Sequence, residues 1–177
     1  MGEYVKPLSK SCLWGVDLLI FVTLGTQDKP FPRLIKLVEE QIEKGNIKEE
    51  VVVQAGHTHF ESTKMKILGM IPMEEYQKYM NDCDLLITHG GVGSIFDAMK
   101  LGKKIIATPR LKKYNEHVND HQKELLSSFS KEGYLLVYNE GDSFEEILKK
   151  SKTFKFKKYK SNNNKMIELI TNFIEEN

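Results

Sequence analysis

Seven residues in the middle of the chain, Thr88–Ser94 (THGGVGS), have the composition of an anion-binding turn. They follow a short apolar run at Asp84–Ile87 that is typical of a strand, and they precede apolar residues at helical spacing in Ile95–Leu101. A strand, a glycine turn and a helix in this order direct free backbone N–H groups and the positive end of a helix towards an anion. Ser94 is expected at or near the N-cap, where its hydroxyl could cap the helix or bind a phosphate oxygen. A tight turn without a ligand remains the alternative.

A carboxylate one helical turn beyond these glycines could extend the same site. Asp97 lies four residues after Gly93, so both could face one opening. Its carboxylate can accept hydrogen bonds from both hydroxyls of a ribose while the turn holds phosphates. An ordinary solvated or capping aspartate is the alternative.

A second polar cluster, at the predicted start of a later helix, has the donors and acceptors that suit sugar hydroxyls. It consists of Glu116, His117, His121 and Gln122. His117 and His121 are four residues apart and share a helix face if both are helical. A metal held by this pair would lack a third ligand, so we do not expect one. Gln54, at the end of a predicted strand, could belong to the site or be satisfied within the protein.

These residues need a scaffold, and the sequence predicts one of alternating strands and helices. Strands are expected at residues 18–23, 51–55, 65–68, 84–88, 104–109 and 134–138. Helices are expected at about residues 32–44, 73–82, 95–101, 117–131 and 144–150, followed by a last one that carries apolar residues from Met166 to Ile174. This alternation indicates an α/β, Rossmann-like fold with a mainly parallel sheet and helices on both faces. All five histidines fall in loops at the carboxyl ends of the strands, the edge at which such sheets bind ligands.

Composition and charge narrow the class of protein. The 177 residues carry a net charge of +1, so no global positive field attracts nucleic acid. Cys12 and Cys83 match neither a metal spacing nor a disulfide framework, which suits a reducing compartment. The apolar run Leu13–Leu24 is interrupted by Asp17 and is shorter than the ~20 residues that span a bilayer. We expect an N-terminal extension at residues 1–17, one domain at 18–150, and a basic linker with a C-terminal helix at 151–177.

The glycine spacing argues against a nicotinamide site. Gly91 and Gly93 are two residues apart, but Phe96 stands where the dinucleotide fingerprint needs its third glycine. The chain also has no Walker lysine and no paired-carboxylate motif. We therefore expect no cofactor and no metal.

Five segments carry, in order and with short gaps, the motifs of a known family. They are Phe21–Gln27, Pro30–Leu34, Gln54–His57, Asp84–Ser94 and Asp120–Gln122. Over about residues 20–140 the chain resembles the soluble subunit of bacterial two-component glycosyltransferases of capsule and exopolysaccharide synthesis. That subunit is similar to the cytosolic subunit of the dolichol-pathway N-acetylglucosaminyltransferase. Both are similar to the C-terminal half of the peptidoglycan N-acetylglucosaminyltransferase in glycosyltransferase family 28.

The resemblance implies the nucleotide-sugar half of a GT-B fold, with a UDP-sugar as donor. Matched position by position, Gly91–Ser94 would bind the pyrophosphate, Asp97 the ribose, and His121 with Gln122 the sugar. Thr26 and Gln27 would lie in the first phosphate-side loop. The family's usual ribose carboxylate is glutamate, one methylene longer than Asp97. The full candidate set is Thr26, Gln27, Gln54, His89, Gly90, Gly91, Val92, Gly93, Ser94, Asp97, Glu116, His117, His121 and Gln122.

The implied function is that of a catalytic, donor-binding subunit. It would move galactose, N-acetylglucosamine or glucuronic acid from UDP to a polyprenyl-diphosphate-linked saccharide. A membrane-anchored subunit would bind this acceptor and supply the general base, and the chain would be cytoplasmic and peripheral to the inner face of the membrane. The C-terminal helix is expected to dock on that partner, with packing on its own domain as the alternative.

Two other functions remain open from the sequence. The first is a non-catalytic nucleotide-sugar-binding or regulatory module, because no general base is evident. The second is a UDP-sugar epimerase, which would need a second domain on the same chain.

Overall fold

The computed structural model describes residues 18–159 as one parallel sheet with helices packed on it. The six strands are β1 (Leu19–Thr23), β2 (Glu50–Gln54), β3 (Lys66–Leu68), β4 (Leu85–His89), β5 (Lys104–Thr108) and β6 (Leu136–Val137). The five α-helices are α1 (Pro32–Glu43), α2 (Met73–Asp82), α3 (Val92–Lys100), α4 (His121–Lys131) and α5 (Phe144–Thr153). The strands lie in the order β3-β2-β1-β4-β5-β6, and every neighbouring pair is parallel.

The core lies in two layers, one on each face of the sheet. Successive side chains of a strand point to opposite faces, so Val22 and Phe21 of β1 enter different layers. Val22 packs in the layer that contains Leu34 of α1 and Leu148 of α5. Phe21 packs in the other layer, which α2, α3 and α4 cover. The predicted α/β architecture with helices on both faces is confirmed.

The strand order also fixes where a ligand can bind. From β1 the chain crosses to β2 on one side, and from β4 it crosses to β5 on the other. The loops after these two adjacent central strands therefore diverge and leave a crevice at their carboxyl ends. We call these connections the β1–α1 loop (residues 24–31) and the β4–α3 turn (residues 90–91), and the connection after β5 is the β5–α4 loop (residues 109–120).

The predicted helix at 117–131 is wrong at its start, since α4 begins at His121. Residues 112–114 form a 3-10 turn, and Asn115 follows in the left-handed region with φ 56°. The left-handed Asn115 redirects the chain, which then runs as a loop to Asp120. The predicted extension at 1–17 and the last helix, Met166–Ile174, lie outside the described residues.

Candidate functional site

A cavity of about 340 Å³ opens in the crevice between the ends of β1 and β4. Its wall is formed by Thr23, Gly25, Thr26, Gln54, Met70, Ile71, Met73, Tyr76, His89, Gly91, Gly93, Ser94 and Asp97. Seven of the fourteen predicted site residues are among them, namely Thr26, Gln54, His89, Gly91, Gly93, Ser94 and Asp97. The cavity has the size of a small-molecule site and lies at the position that the strand order favours.

The start of α3 forms one side of this cavity and is built as the glycine turn predicts, with one correction. The helix begins at Val92, and its N-cap is Gly91 in an extended conformation (φ −75°, ψ 126°). Ser94 is therefore the third helical residue, near the cap, and the helix begins three residues before the predicted start at residue 95. The first helical hydrogen bond runs from the Ile95 N–H to the Gly91 carbonyl at 3.4 Å. Gly91 has no side chain that could cap the N–H groups of the first helical turn, which follow it, so these groups are left for a ligand.

The imidazole of His89 packs against this turn. The residue is 9% exposed, and Nδ1 lies 3.4 Å from the carbonyl oxygen of Thr23. A Cβ on Gly91 would stand 2.1 Å from His89 Nε2, and one on Gly25 would stand 2.6 Å from Cε1. Gly25 also has φ +74°, which disfavours other residues. Both loops can therefore approach the imidazole only because they carry glycine there.

The imidazole is uncharged at neutral pH. Burial, assisted by the positive charge of Arg110, lowers the pKa of His89 to about 4. The contact with the Thr23 carbonyl raises this pKa but does not offset the burial. His89 thus shapes the cavity without adding a formal charge to it.

Tyr76, Ser94 and Asp97 lie close together on the cavity wall. The Tyr76 side chain hydrogen-bonds Ser94, and burial, assisted by the charge of Asp97, raises the pKa of its phenol. Sequence reasoning missed Tyr76, because its place in an amphipathic helix also suits a core residue. Its ring is in fact an edge-to-face neighbour of Phe21, with ring centroids 5.8 Å apart.

Gln54 lines the cavity, and its amide also makes two hydrogen bonds within the protein. Thr23 Oγ1 donates to Gln54 Oε1 at 2.6 Å, and Gln54 Nε2 donates to the carbonyl of Gly25 at 3.1 Å. The side chain therefore holds the β1–α1 loop in place. These bonds fit the second of the two roles that the sequence left open, and a contact of Gln54 with a ligand in the cavity stays a prediction.

The remaining predicted residues lie outside the cavity wall. Gln27, Gly90 and Val92 flank wall residues in the chain. Gln122 is buried in α4, and its Oε1 accepts from the Arg110 backbone N–H at 2.9 Å. A Cβ on Gly90 would stand 2.6 Å from the same oxygen. Gln122 thus packs directly against the β4–α3 turn.

The carboxylate of Glu116 is used inside the protein. Arg33 donates to both of its oxygens, at 3.0 and 2.8 Å, and the Leu111 N–H donates to Oε2 at 2.9 Å. His117 lies in the β5–α4 loop, where its Nδ1 is 3.1 Å from the Asn119 carbonyl. Only His121 is helical, so the argument that His117 and His121 share a helix face is wrong.

Two further properties bear on chemistry and location. Among residues 18–159, no group of three or more His, Cys, Asp or Glu side chains is arranged to hold a metal ion. None of the helices in the same stretch is both long and apolar enough to cross a membrane.

Comparison with known proteins gives relatives with named activities. The protein named UDP-N-acetylglucosamine transferase subunit ALG13 of Yarrowia lipolytica is 29% identical over 152 residues, 78% of this chain and 75% of that protein. Its namesake in Candida albicans is 30% identical over 80 residues, 45% of this chain and 26% of that protein. A UDP-N-acetylglucosamine–N-acetylmuramyl-(pentapeptide) pyrophosphoryl-undecaprenol N-acetylglucosamine transferase of Clostridium botulinum is 29% identical over 134 residues, 76% of this chain. The chain spans a third of that transferase's length.

Solved structures share the fold. The NMR solution structure of ALG13 superposes with a TM-score of 0.57 at 21% identity, covering 87% of this chain and 94% of that one. MurG of Acinetobacter baumannii, a GT-B glycosyltransferase, superposes with a TM-score of 0.54 at 14% identity. The match covers 92% of this chain and 43% of MurG, which confirms the predicted half of a GT-B fold.

The model of the glycosyltransferase family 28 C-terminal domain matches residues 19–176, nearly the whole chain. The chain therefore belongs to the family of glycosyltransferase family 28 C-terminal domains.

Proposed function

We propose that this chain is the donor-binding, catalytic subunit of a two-component glycosyltransferase that moves a sugar from UDP to a lipid-linked saccharide. The observation that carries the proposal is the cavity between β1 and β4, with the start of α3 on its wall and Asp97 one helical turn further on. The start of the helix suits a diphosphate, and the carboxylate suits the hydroxyls of a ribose. The similar proteins are named as UDP-N-acetylglucosamine transferases, which supports a UDP-sugar as donor.

Each part of the donor has a complementary surface. The diphosphate would accept hydrogen bonds from the N–H groups at the start of α3, which also carries the positive end of the helix dipole. The ribose hydroxyls would donate to Asp97. The base would pack on the apolar rim, where the side chains of Met70 and Met73 are 54% and 67% exposed. Methionine at an exposed rim is well suited to cover an aromatic ring.

The sugar would extend towards α4. Gln122 Oε1 is occupied by the Arg110 N–H, so its Nε2 is the group that could donate to a sugar oxygen. His121 precedes it in the chain, and Gln27 stands on the opposite loop. We assign His121 and Gln122 to the sugar side of the donor, in agreement with the family resemblance, and Gln27, with Thr26, to the phosphate side. Galactose, N-acetylglucosamine and glucuronic acid are the candidate sugars.

In the proposed reaction an acceptor hydroxyl attacks the anomeric carbon, and the bond from that carbon to the diphosphate oxygen breaks. UDP leaves with the electron pair, and the N–H groups at the start of α3 stabilise the charge that develops on it. The acceptor hydroxyl loses its proton to a general base. His89 is buried with a depressed pKa, and Asp97 is assigned to the ribose, so we assign the base to the partner subunit.

The partner would be a membrane-anchored subunit that binds a polyprenyl-diphosphate-linked saccharide and holds this chain at the cytoplasmic face of the membrane. The word subunit in the names of the similar Yarrowia and Candida proteins supports an assembly of this kind.

The test has a binding step and a transfer step. The purified chain is titrated with UDP and the three UDP-sugars in a calorimeter, beside Asp97→Asn and the control Asp82→Asn, an exposed residue at the other edge of the sheet. Loss of the charged ribose contact should weaken UDP about 10- to 100-fold, with no effect of Asp82→Asn. Membranes from cells lacking this chain, which hold the partner and acceptor, are then supplied with the chain and labelled donors.

The expected result is a labelled lipid-linked product with one donor, reduced by Asp97→Asn. No binding of any of these nucleotides by the folded wild-type chain would refute the proposed site. Binding without transfer of any sugar would instead favour the non-catalytic module.

A further inference from the structure

Arg110 is a buried cation that connects two of the loops around the cavity. Its side chain begins in the β5–α4 loop and is 1% exposed. Nη2 donates to the Leu24 carbonyl at 2.8 Å, and Nη1 donates to the Lys29 carbonyl at 2.7 Å. Nη1 also lies 3.3 Å from the Glu116 carbonyl in its own loop. One guanidinium therefore bonds backbone groups of both loops.

The two carbonyls in the β1–α1 loop are significant because of what lies between them. Leu24 and Lys29 bracket residues 25–28, which include the cavity residues Gly25 and Thr26. Fixing both ends of so short a segment fixes the path of the backbone between them. The guanidinium further lies 4.8 Å from the ring centroid of Phe31, at the end of the same loop. Phe31 is fully buried, so this ring is a rigid support.

Arg110 also reaches the sugar side of the cavity through its backbone. Its N–H donates to Gln122 Oε1, which packs against Gly90. The same residue thus sets the position of the β1–α1 loop through its side chain and that of Gln122 through its main chain.

The arrangement is costly for stability, which argues for a role in geometry. Burial lowers the pKa of Arg110 to about 10, although the nearby Glu116 raises it. Among the described residues, its buried Nε has no hydrogen-bond partner. A buried cation with incomplete hydrogen bonding is a poor source of stability, and an apolar residue of similar size would often serve better. Lysine could not replace it, because a single ammonium cannot span carbonyls that the planar fork of arginine reaches together.

We infer that Arg110 is a positioning residue for the donor, whose guanidinium holds residues 25–28 in the geometry that binds the UDP-sugar. This inference rests on the proposed function. It assigns Arg110 no contact with the donor itself.

Three variants test the inference by calorimetry with UDP. Arg110→Met removes the charge and the hydrogen bonds, whereas Arg110→Lys keeps the charge and loses the fork. Lys103→Met is the matched control, because Lys103 Nζ also donates to two backbone carbonyls, those of Asn81 and Cys83 at 2.6 and 2.8 Å, at the opposite edge of the sheet. A displacement of about 1 Å in the groups that position a substrate can lower an enzyme's efficiency about 100-fold. We expect both Arg110 variants to weaken UDP binding by about 10- to 100-fold and Lys103→Met to bind UDP normally.

Hydrogen exchange separates positioning from a general loss of stability. In folded Arg110→Lys the amides of residues 25–29 should exchange faster, while those of β1 and β4 keep the protection of the wild type. Phe31→Leu provides a second variant in case Arg110→Met does not fold, and it should weaken UDP binding several-fold by removing the support of the guanidinium. Wild-type affinity in folded Arg110→Lys or Phe31→Leu would overturn the inference. Failure of the wild type to bind UDP would instead overturn the proposed function, and unchanged exchange at residues 25–29 would still refute the role of Arg110.

Discussion

The buried, neutral state of His89 predicts a measurable loss of stability in mild acid. The ordinary pKa of the imidazole is 6.5, and in the folded protein it is about 4. As the pH falls below about 6.5, His89 takes up a proton in the unfolded chain. In the folded chain it takes up a proton only near pH 4. The unfolded state therefore binds more protons between these limits, and stability must fall as the pH falls.

The magnitude follows from the two pKa values. Each pKa unit corresponds to about 1.4 kcal/mol, so the interval at His89 corresponds to a loss of about 3 kcal/mol between roughly pH 6.5 and pH 4. The contribution is fully present above about pH 6.5 and is lost as the pH falls through the pKa of the folded state. Since whole domains are stable by only about 5–15 kcal/mol, a loss of this size is readily measured.

The assay is urea unfolding at a series of pH values for the wild type and for His89→Asn, which keeps a polar nitrogen near the Nδ1 position. Acidic side chains titrate in both proteins, so the difference between the two pH profiles isolates His89. We expect the wild type to lose about 3 kcal/mol more than the variant on acidification. The Cε1–H resonance of His89 in the NMR spectrum should titrate near pH 4. Titration near 6.5, or parallel unfolding profiles for the two proteins, would refute the argument that burial and the charge of Arg110 keep the ring neutral.

Three further predictions concern single contacts. Gly91→Ala would place a Cβ 2.1 Å from His89 Nε2, so the affinity for UDP, measured by calorimetry, should fall at least about tenfold. A Cβ on Gly93 meets no atom within 4 Å, so Gly93→Ala should melt like the wild type by circular dichroism. Burial raises the pKa of Cys83 to about 11, so in a Cys12→Ser background a thiol reagent at about pH 8 should react only after urea is added, and fast reaction in the native state would contradict this. Ser143 accepts from the Glu146 N–H at 3.3 Å as the N-cap of α5, so Ser143→Ala should cost about 1 kcal/mol in urea unfolding, whereas Ser127→Ala on the exposed side of α4 should not.

The fold could be predicted because each strand and helix has a hydrophobic pattern that lies within one short segment of the sequence. The continuous apolar run of β1 and the helical stripe of α1 each lie within one segment, and their alternation implies a parallel sheet. The α2 bounds were predicted as the structure has them, because the helix ends at the turn before β4. The start of α4 was missed because a left-handed Asn115 depends on the loop around it and leaves no periodic pattern.

The candidate site could be predicted only where its residues are close together in the sequence. The glycine turn and Asp97 are linked by the spacing of one helix, and both line the cavity. Tyr76 was missed because it comes from a different helix and reaches Ser94 only through the packing of α2 and α3. Arg110 was missed for the same reason, since the carbonyl of Leu24 is 86 residues away in the chain.

Glu116 shows why residue type alone could not complete the assignment. A carboxylate in a loop at the ligand-binding edge suits a sugar, but it equally suits the N–H groups of the protein around it. Here Arg33, 83 residues earlier, and the Leu111 N–H supply three donors to its two oxygens, and the carboxylate is almost completely buried. Breaking such a pair to reach a ligand would leave a buried charge without its partner, which costs more than one new hydrogen bond returns. The Oε1 atoms of Gln54 and Gln122 are occupied in the same way, because each already accepts a hydrogen bond within the protein. On the cavity wall, α3 therefore offers the donor the N–H groups of its first turn, which have no acceptor within the helix, and Asp97 one turn beyond them.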